Sequence, residues 1–406
     1  NKSQMHDKFK SYLYDYLSKK TGKTLPWGYL TGVRPSKIAY MMLEDGESEE
    51  TIKRHFMDKH KASGQKAELA LNVASKEMDI LNRIDYKNGY SLYIGIPFCP
   101  SICSYCSFSS SPIAEWKDQV DRYLDAMIKE LKATAKLMQG KPLDTVYIGG
   151  GTPTTLEADQ LDRLLGTIRE DFDLEHVLEF TVEAGRPDSI TREKLEVIRK
   201  YPVTRISVNP QTMQQKTLDL VGRKHTVEDV EQIFHLAREL GFDNINMDLI
   251  AGLPGEDAAD MQDTLEKIEK LHPDSLTLAI KRAAKFGQEG RTMDPGTEIT
   301  QMVEAAAASA ERMGLVPYYL YRQKNIAGNF ENVGYAEQDK AGVYNILIME
   351  EKQAILACGA GASTKRVWNL PDGYHIERCE NVKGIKQYIA RIDEMIERKK
   401  ALFEKD

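Results

Sequence analysis

Tyr93-Ile-Gly-Ile-Pro-Phe-Cys99-Pro-Ser-Ile-Cys103-Ser-Tyr105-Cys106 runs from a short apolar stretch into three thiols, with three and then two residues between them. Three soft ligands this close together can hold one metal centre and leave one coordination position unclaimed. Structural zinc is the alternative, but it wants a closed tetrahedral set. No His or fourth Cys lies near enough in sequence to complete one, and Cys358 and Cys379 join only if the fold brings them in. A disulfide needs paired thiols in an oxidising compartment, and neither is indicated. The spacing favours an iron–sulfur cluster with one open iron.

The remaining composition sets the frame. A chain of 406 residues with 41% hydrophobic residues has room for one large α/β domain with appendages, or for two domains. The net charge is −7 with both signs interspersed, so no basic field announces a nucleic-acid partner. There is no apolar run of membrane-spanning length and no signal-peptide pattern, so the expected setting is cytoplasmic, with no membrane partner. The chain starts at Asn1 rather than Met, and a preceding natural segment is expected.

Residues 1 to 88 place apolar side chains at helical spacing, as in Phe9, Tyr12, Leu13, Tyr16 and Leu17, and are expected to form an N-terminal helical region. From Ser91 the pattern changes to short apolar runs separated by amphipathic stretches. Expected strands are 92–96, 145–148, 178–182, 205–208, 245–250 and 275–279. Expected helices are 115–138, 157–170, 191–200, 226–240, 260–270 and 298–313. Strands that are apolar throughout are buried on both faces and pair in parallel through helical crossovers, which predicts an α/β, barrel-like sheet over 89–322. Residues 323–406 are expected to be a C-terminal extension covering it, with a glycine stretch at Leu356–Ser363 and a closing helix over 383–404.

In such folds, reactive groups sit on loops after the C-terminal ends of strands. The cysteine loop follows the first expected strand. Gly149-Gly150-Gly151-Thr152-Pro153 follows the second, and exposed backbone groups there can bind an amino acid's charged ends. Glu183 ends the third. Gln211 follows the fourth with Arg223 twelve residues on, and Asp248 and Ile250 end the fifth. Gln and Asp suit ribose hydroxyls, and Arg can clamp a carboxylate in two-pronged fashion.

The C-x3-C-x2-C spacing after a strand, with an aromatic residue before the third Cys, resembles the signature of radical S-adenosylmethionine (SAM) enzymes. Tyr93-Ile-Gly-Ile-Pro-Phe-Cys99, Gly149-Gly-Gly-Thr-Pro153, the Gln211 to Arg223 spacing and Asp248-Leu-Ile-Ala-Gly-Leu-Pro-Gly255 together resemble its oxygen-independent coproporphyrinogen III dehydrogenase family. Leu25–Ile38 and Tyr318–Tyr335 are similar to the HemZ group within that family. The resemblance implies a partial (β/α)6 TIM-like barrel, with Cys99, Cys103 and Cys106 holding a [4Fe–4S] cluster. SAM would lie against Tyr93 and Tyr105, its amino end on Gly150, Gly151 and Thr152 and its carboxylate on Arg223. Gln211 and Asp248 would bind ribose and Ile250 adenine, while Tyr93 and Glu183 would act beside the reacting groups. A small-molecule tetrapyrrole as substrate and an electron donor such as flavodoxin or ferredoxin are implied as partners.

The implied reaction is oxidative decarboxylation of coproporphyrinogen III to protoporphyrinogen IX. Anaerobic ring opening of haem and haem carriage are the alternatives within the same branch. Two departures weaken the first reading: Phe108 stands where the well-studied enzymes carry a further Cys, and Gly95 where they carry His. A third counts against a carrier, since Glu331-Asn-Val-Gly-Tyr335-Ala336 lacks the His and Trp of the chaperone segment. Propionates need cations and a macrocycle needs flat apolar surface. Lys281, Arg282, Lys285, Arg291, Tyr319, Tyr321 and Arg322 are the candidates for those contacts.

Overall fold

The computed structural model describes residues 2–106, 110–280, 295–322, 330–370 and 373–405. The strands are β1 (Tyr90–Ile96), β2 (Leu143–Gly150), β3 (Glu179–Gly185), β4 (Arg205–Val208), β5 (Ile245–Ala251), β6 (Ser275–Ile280), β7 (Val316–Tyr321), β8 (Asn332–Ala336), β9 (Ala354–Cys358), β10 (Ser363–Leu370) and β11 (Gly373–Glu380). Helices α1 (Lys2–Thr21), α2 (Ser36–Glu44), α3 (Glu49–Arg54) and α4 (Gly64–Leu81) precede β1. Between the strands lie α5 (Val120–Leu137), α6 (Ala158–Asp171), α7 (Arg192–Arg199), α8 (Gln215–Leu220), α9 (Val227–Glu239), α10 (Ala258–Leu271), α11 (Pro295–Arg312) and α12 (Val343–Glu350), and α13 (Ile385–Ala390) and α14 (Ile392–Phe403) close the chain.

Packing divides the chain into two units: Asn1–Asn82 with Ile250–Glu266 and Leu276–Ala341, and Arg83–Leu249 with Lys267–Ser275 and Gly342–Asp406. In the second unit, β1 through β5 pair in parallel in chain order. Leu92, Ile94, Val146, Ile148, Phe180, Val182 and Ile206 are buried on one face of the sheet, and Ser91, Thr145, Thr181 and Ser207 are buried on the other, so both faces are covered. Some helices, among them α9, start where the sequence supplies a cap. The Thr226 hydroxyl accepts from the Asp229 backbone N–H at 3.1 Å while the Asp229 carboxylate accepts from the Thr226 N–H at 2.8 Å, which fixes the entry to α9.

The stretch Leu356–Ser363, expected as a glycine loop, begins as strand. β9 pairs in parallel with β1, Tyr90 opposite Ala354 and Ile94 opposite Cys358, and the β10–β11 hairpin continues antiparallel from it. The glycine feature survives just beyond. A Cβ on Gly359 would lie 2.4 Å from the Gly95 carbonyl oxygen, so the two backbones touch at that point.

The single closing helix expected over 383–404 is two helices. Their break lets Tyr388 on α13 and Lys399 on α14 reach the same buried carboxylate, Glu130 of α5. Glu130 also accepts from Asn381 Nδ2 at 2.8 Å and from the Gly359 N–H at 2.9 Å.

The first unit packs its helices around Trp27, which is fully buried and meets Phe56 edge-on with ring centroids 6.3 Å apart. The Trp27 indole N–H donates to Glu331 at 2.6 Å, and Lys66 pairs with the other carboxylate oxygen. β7 and β8 pair antiparallel, and the Ile280 N–H at the end of β6 donates to Asn332 Oδ1 at 2.7 Å.

Candidate functional site

The chain leaves β1 through Pro97, and Phe98–Cys99 pairs in parallel with Ser111–Pro112. Phe98 is buried edge-on against Tyr123 with centroids 5.4 Å apart, so Cys99 stands on a fixed floor. The Cys106 N–H donates to the Cys103 carbonyl at 3.0 Å, turning the loop. From the opposite side the Ser104 N–H donates to the Val221 carbonyl and the Ser101 hydroxyl to the Gly222 carbonyl, both at 3.1 Å.

The glycine loop after β2 is laced to this segment. The Gly151 and Thr152 N–H groups donate to the carbonyls of Ile96 and Phe98, each at 2.7 Å, and the Thr152 hydroxyl donates to the Cys99 sulfur at 3.5 Å. A Cβ on Gly151 would lie 2.4 Å from the Phe98 oxygen, and Gly150 has φ +106°, so glycine is required at both. With those two N–H groups engaged, backbone carbonyl oxygen is what the loop has for an ammonium group.

Glu183 at the end of β3 accepts from the Tyr147 phenol, and a Cβ on Gly149 would come within 2.7 Å of its carboxylate. Burial pushes its carboxyl up to about 7, with Asp248 adding and the Tyr147 hydrogen bond, Arg205 and the Gly150 N–H opposing. Tyr93 lies directly across from Tyr147 in the β1–β2 register, and the two rings are stacked at 6.3 Å. Tyr344 of α12 stacks on both, at 4.5 Å from Tyr147 and 6.2 Å from Tyr93.

Gln211 has φ +68°, a left-handed conformation uncommon for a residue with a side chain. It is held there by its N–H donating to the Asp248 carbonyl at 2.9 Å. Asp248 accepts from Asn246 at 2.7 Å, Asn246 accepts from Ser275 at 3.0 Å, and Ser275 accepts from Arg205 at 3.1 Å. Ile250, two residues beyond Asp248 on the same strand, is buried. Arg223 is buried, its guanidinium donating to the Asn209 carbonyl at 2.8 Å and to the Tyr105 phenol oxygen at 2.9 Å. The contact joins the strand-end residues to the cysteine loop.

A model of the Radical SAM superfamily matches residues 93–268. The oxygen-independent coproporphyrinogen-III oxidase-like protein HemZ of Bacillus subtilis is 40% identical over 97% of this chain and 81% of its own length. The chain belongs to the radical SAM superfamily, among the coproporphyrinogen oxidase-like proteins. As a radical SAM chain it is also 32% identical to the heme chaperone HemW of Bacillus subtilis, over 75% of this chain and 76% of that one. The solved structure of coproporphyrinogen III oxidase (HemN) from Escherichia coli shares the fold with a TM-score of 0.61 at 23% identity, covering 79% of this chain and 72% of that one.

Radical SAM proteins bind a [4Fe–4S] cluster and SAM, and both are cofactors of this chain. The site's chemistry fits them. Cys99, Cys103 and Cys106 put three thiols on one loop, the soft donor set of an iron–sulfur cluster that leaves one iron open. Ser207 Oγ and Asn209 Oδ1 at the end of β4, and Arg223 Nε beyond α8, are buried without a hydrogen-bond partner among the described residues. Each such atom costs about 1–3 kcal/mol unless a polar ligand meets it, and SAM's ribose and charged amino acid end are such ligands.

Tyr147, Tyr344 and Asn246 were not singled out from the sequence, and the structure brings them against Glu183, Tyr93 and Asp248. Tyr147 carried a signal, standing two residues before the glycine loop with its side chain on the same face of β2 as Gly149. Of the substrate candidates, Lys281, Arg282, Lys285 and Arg291 lie outside the described residues, as does Phe108. Arg322 is corrected: it is buried and donates to the carbonyls of Leu30 at 2.7 Å and Gly32 at 3.3 Å, so its guanidinium ties down backbone. Tyr319 and Tyr321 stack with centroids 6.3 Å apart.

Proposed function

We propose that this chain oxidatively decarboxylates coproporphyrinogen III to protoporphyrinogen IX without oxygen, taking electrons from a donor such as flavodoxin or ferredoxin. The observation that carries the reading is 40% identity across nearly the whole chain to a protein named as oxygen-independent coproporphyrinogen-III oxidase-like. In this reading Cys99, Cys103 and Cys106 hold the cluster, within a barrel formed by 89–322. Carbonyls around Gly150, Gly151 and Thr152 receive the SAM amino end, and Arg223 takes the carboxylate. Gln211 and Asp248 take ribose, Ile250 packs on adenine, and Tyr93 and Tyr105 close the site.

When bound and reduced, the cluster and SAM together supply one-electron chemistry that removes a hydrogen atom from substrate. The chain's own work is to orient and to exclude water. Glu183, with its carboxyl near neutrality and Tyr147 donating to it, can hold or release a proton beside Tyr93. Each propionate that reacts becomes a vinyl group, losing carbon dioxide and two hydrogens: one leaves as the abstracted hydrogen atom, and the other as a proton and an electron passed to a one-electron acceptor.

The HemW likeness supports a second reading, haem carriage. Against it stands Glu331, at the position expected to be His in a chaperone, whose carboxylate is taken up by Trp27 and Lys66. The discriminating experiment is anaerobic. The reconstituted, reduced chain receives SAM with coproporphyrinogen III or with haem, and products are followed by mass spectrometry. Two successive losses of carbon dioxide plus two hydrogens support the dehydrogenase. Haem consumed to an opened product replaces it with ring opening, and stable haem binding without SAM turnover replaces it with carriage.

A further inference from the structure

Gly185, at φ +72°, ends β3, and the next residues, Arg186-Pro187-Asp188, enter a short turn over Pro187–Ser189. Pro187 restricts the backbone there, and Arg186 and Asp188 meet as a two-pronged pair, Nε to Oδ1 at 3.0 Å and Nη2 to Oδ2 at 2.6 Å. The remaining prong points into the cysteine loop. Arg186 Nη1 donates to the Ser101 hydroxyl at 2.9 Å, to the Ser101 carbonyl at 3.0 Å and to the Cys103 sulfur at 3.6 Å. A buried guanidinium is costly unless its donors are met, and Arg186, at 4% exposure, is fully enclosed by these partners.

Behind Asp188, His225 Nδ1 lies 4.0 Å from Oδ1. Burial pushes the His225 imidazole down to about 4, so it is neutral near pH 7 and leaves the pair's charges as they stand. The result is an oriented dipole with its cationic end on one thiol and its anionic end turned away. Neither Arg186 nor Asp188 is among the SAM contacts described above, although Arg223 is near enough to act on Asp188.

We propose that Arg186, oriented by Asp188, is a positioning residue for the cluster: it aims the Cys103 thiolate and stabilises the additional negative charge of the reduced cluster. Hydrogen bonds and charge at the ligand sulfurs are among the terms that set cluster potentials. The inference rests on Cys99, Cys103 and Cys106 being the ligands.

The test uses the full chain, reconstituted anaerobically, as wild type, Arg186→Gln, Arg186→Lys and Asp188→Asn. The readouts are iron and sulfide per chain and the midpoint potential from a titration followed by electron paramagnetic resonance. Arg186→Gln is expected to lower the reduction equilibrium constant about tenfold, a shift of about 59 mV to more negative potential. Arg186→Lys keeps the charge and falls between. Asp188→Asn removes the compensating anion and moves the potential the opposite way.

Wild-type potentials in all three variants, or Arg186→Gln and Asp188→Asn moving in the same direction, overturn the proposal, the second outcome showing a mere loop staple. If Arg186→Gln retains no iron, the signs of the other two variants decide. A wild-type chain that holds no cluster refutes the ligand assignment instead, a result distinct from an intact cluster with an unmoved potential.

Discussion

Tyr105 and Arg223, 118 positions apart in the chain, are joined by a hydrogen bond of 2.9 Å from the guanidinium Nη1 to the phenol oxygen. Through it the residue between two cysteines of the cluster motif is coupled to the residue expected to grip the SAM carboxylate. Tyr105→Phe removes the acceptor and leaves a buried guanidinium donor unmet, at a cost of about 1–3 kcal/mol. SAM affinity, measured by equilibrium dialysis on the reconstituted chain, is expected to fall about tenfold with iron content unchanged. Unaltered affinity would separate the two loops functionally.

The cysteines divide by role. Replacing Cys99, Cys103 or Cys106 singly by Ala is expected to abolish the visible absorbance of the reconstituted cluster. Cys358→Ala and Cys379→Ala are expected to retain it, since Cys358 is buried 3.4 Å from Lys399, and burial pushes its thiol up to about 11. Loss of iron from either of these last two would bring back a four-thiol site.

Glu183 makes stability pH-dependent in a stated direction. Its carboxyl is pushed up to about 7 in the fold and lies near 4.3 in an unfolded chain. Between those values the folded chain keeps a proton that the unfolded chain has released. The unfolding free energy therefore falls as pH rises through that window. Urea unfolding of the apo chain at about pH 5 and about pH 8 is expected to show a drop that Glu183→Gln reduces by about 2–3 kcal/mol. Equal slopes for both chains would place the carboxyl at an ordinary value.

Gly151→Ala pushes a methyl group to within 2.4 Å of the Phe98 carbonyl oxygen, a backbone atom that cannot step aside alone. The expected cost is about 1–3 kcal/mol of stability, together with poor iron retention because Phe98 leads directly into Cys99. Gly32→Ala, where a Cβ meets nothing within 4 Å, serves as the control and is expected to retain iron normally.

Lys399 and Glu130 form an ion pair at 2.8 Å with side-chain exposures of 3% and 0%. Lys399→Met strands a buried carboxylate, which costs about 3–5 kcal/mol. A chemical denaturation midpoint close to wild type would show that Tyr388, Asn381 and the Gly359 N–H suffice for Glu130.

The strands β1 to β6 were legible because each is a short span rich in β-branched and other apolar residues that separates amphipathic helical stretches. Most of the residues expected at the site lie at or just past the end of such a run, while Tyr93 lies inside β1 and Arg223 follows α8. What was not legible depends on partners far off in sequence. Ala354–Cys358 runs straight into Gly359-Ala-Gly361 and so reads as part of a glycine loop, whereas in the fold it pairs with β1 on one side and β10 on the other. Tyr344 belongs to an apolar helix with no motif, and its stack with Tyr93 and Tyr147 exists only after folding. Arg322 looked available because a sequence does not reveal that the carbonyls of Leu30 and Gly32 already hold it.

The β9–β1 pairing sets the order of events during synthesis. β1, which leads into the cysteine loop, has β2 on one side and β9 on the other. A ribosome must therefore make the chain through Cys358 before the strand beneath the cysteines gains its second neighbour. Until then β1 is an open sheet edge, prone to pair with other chains. A chain truncated upstream of Ala354 is therefore expected to keep that edge open and to aggregate.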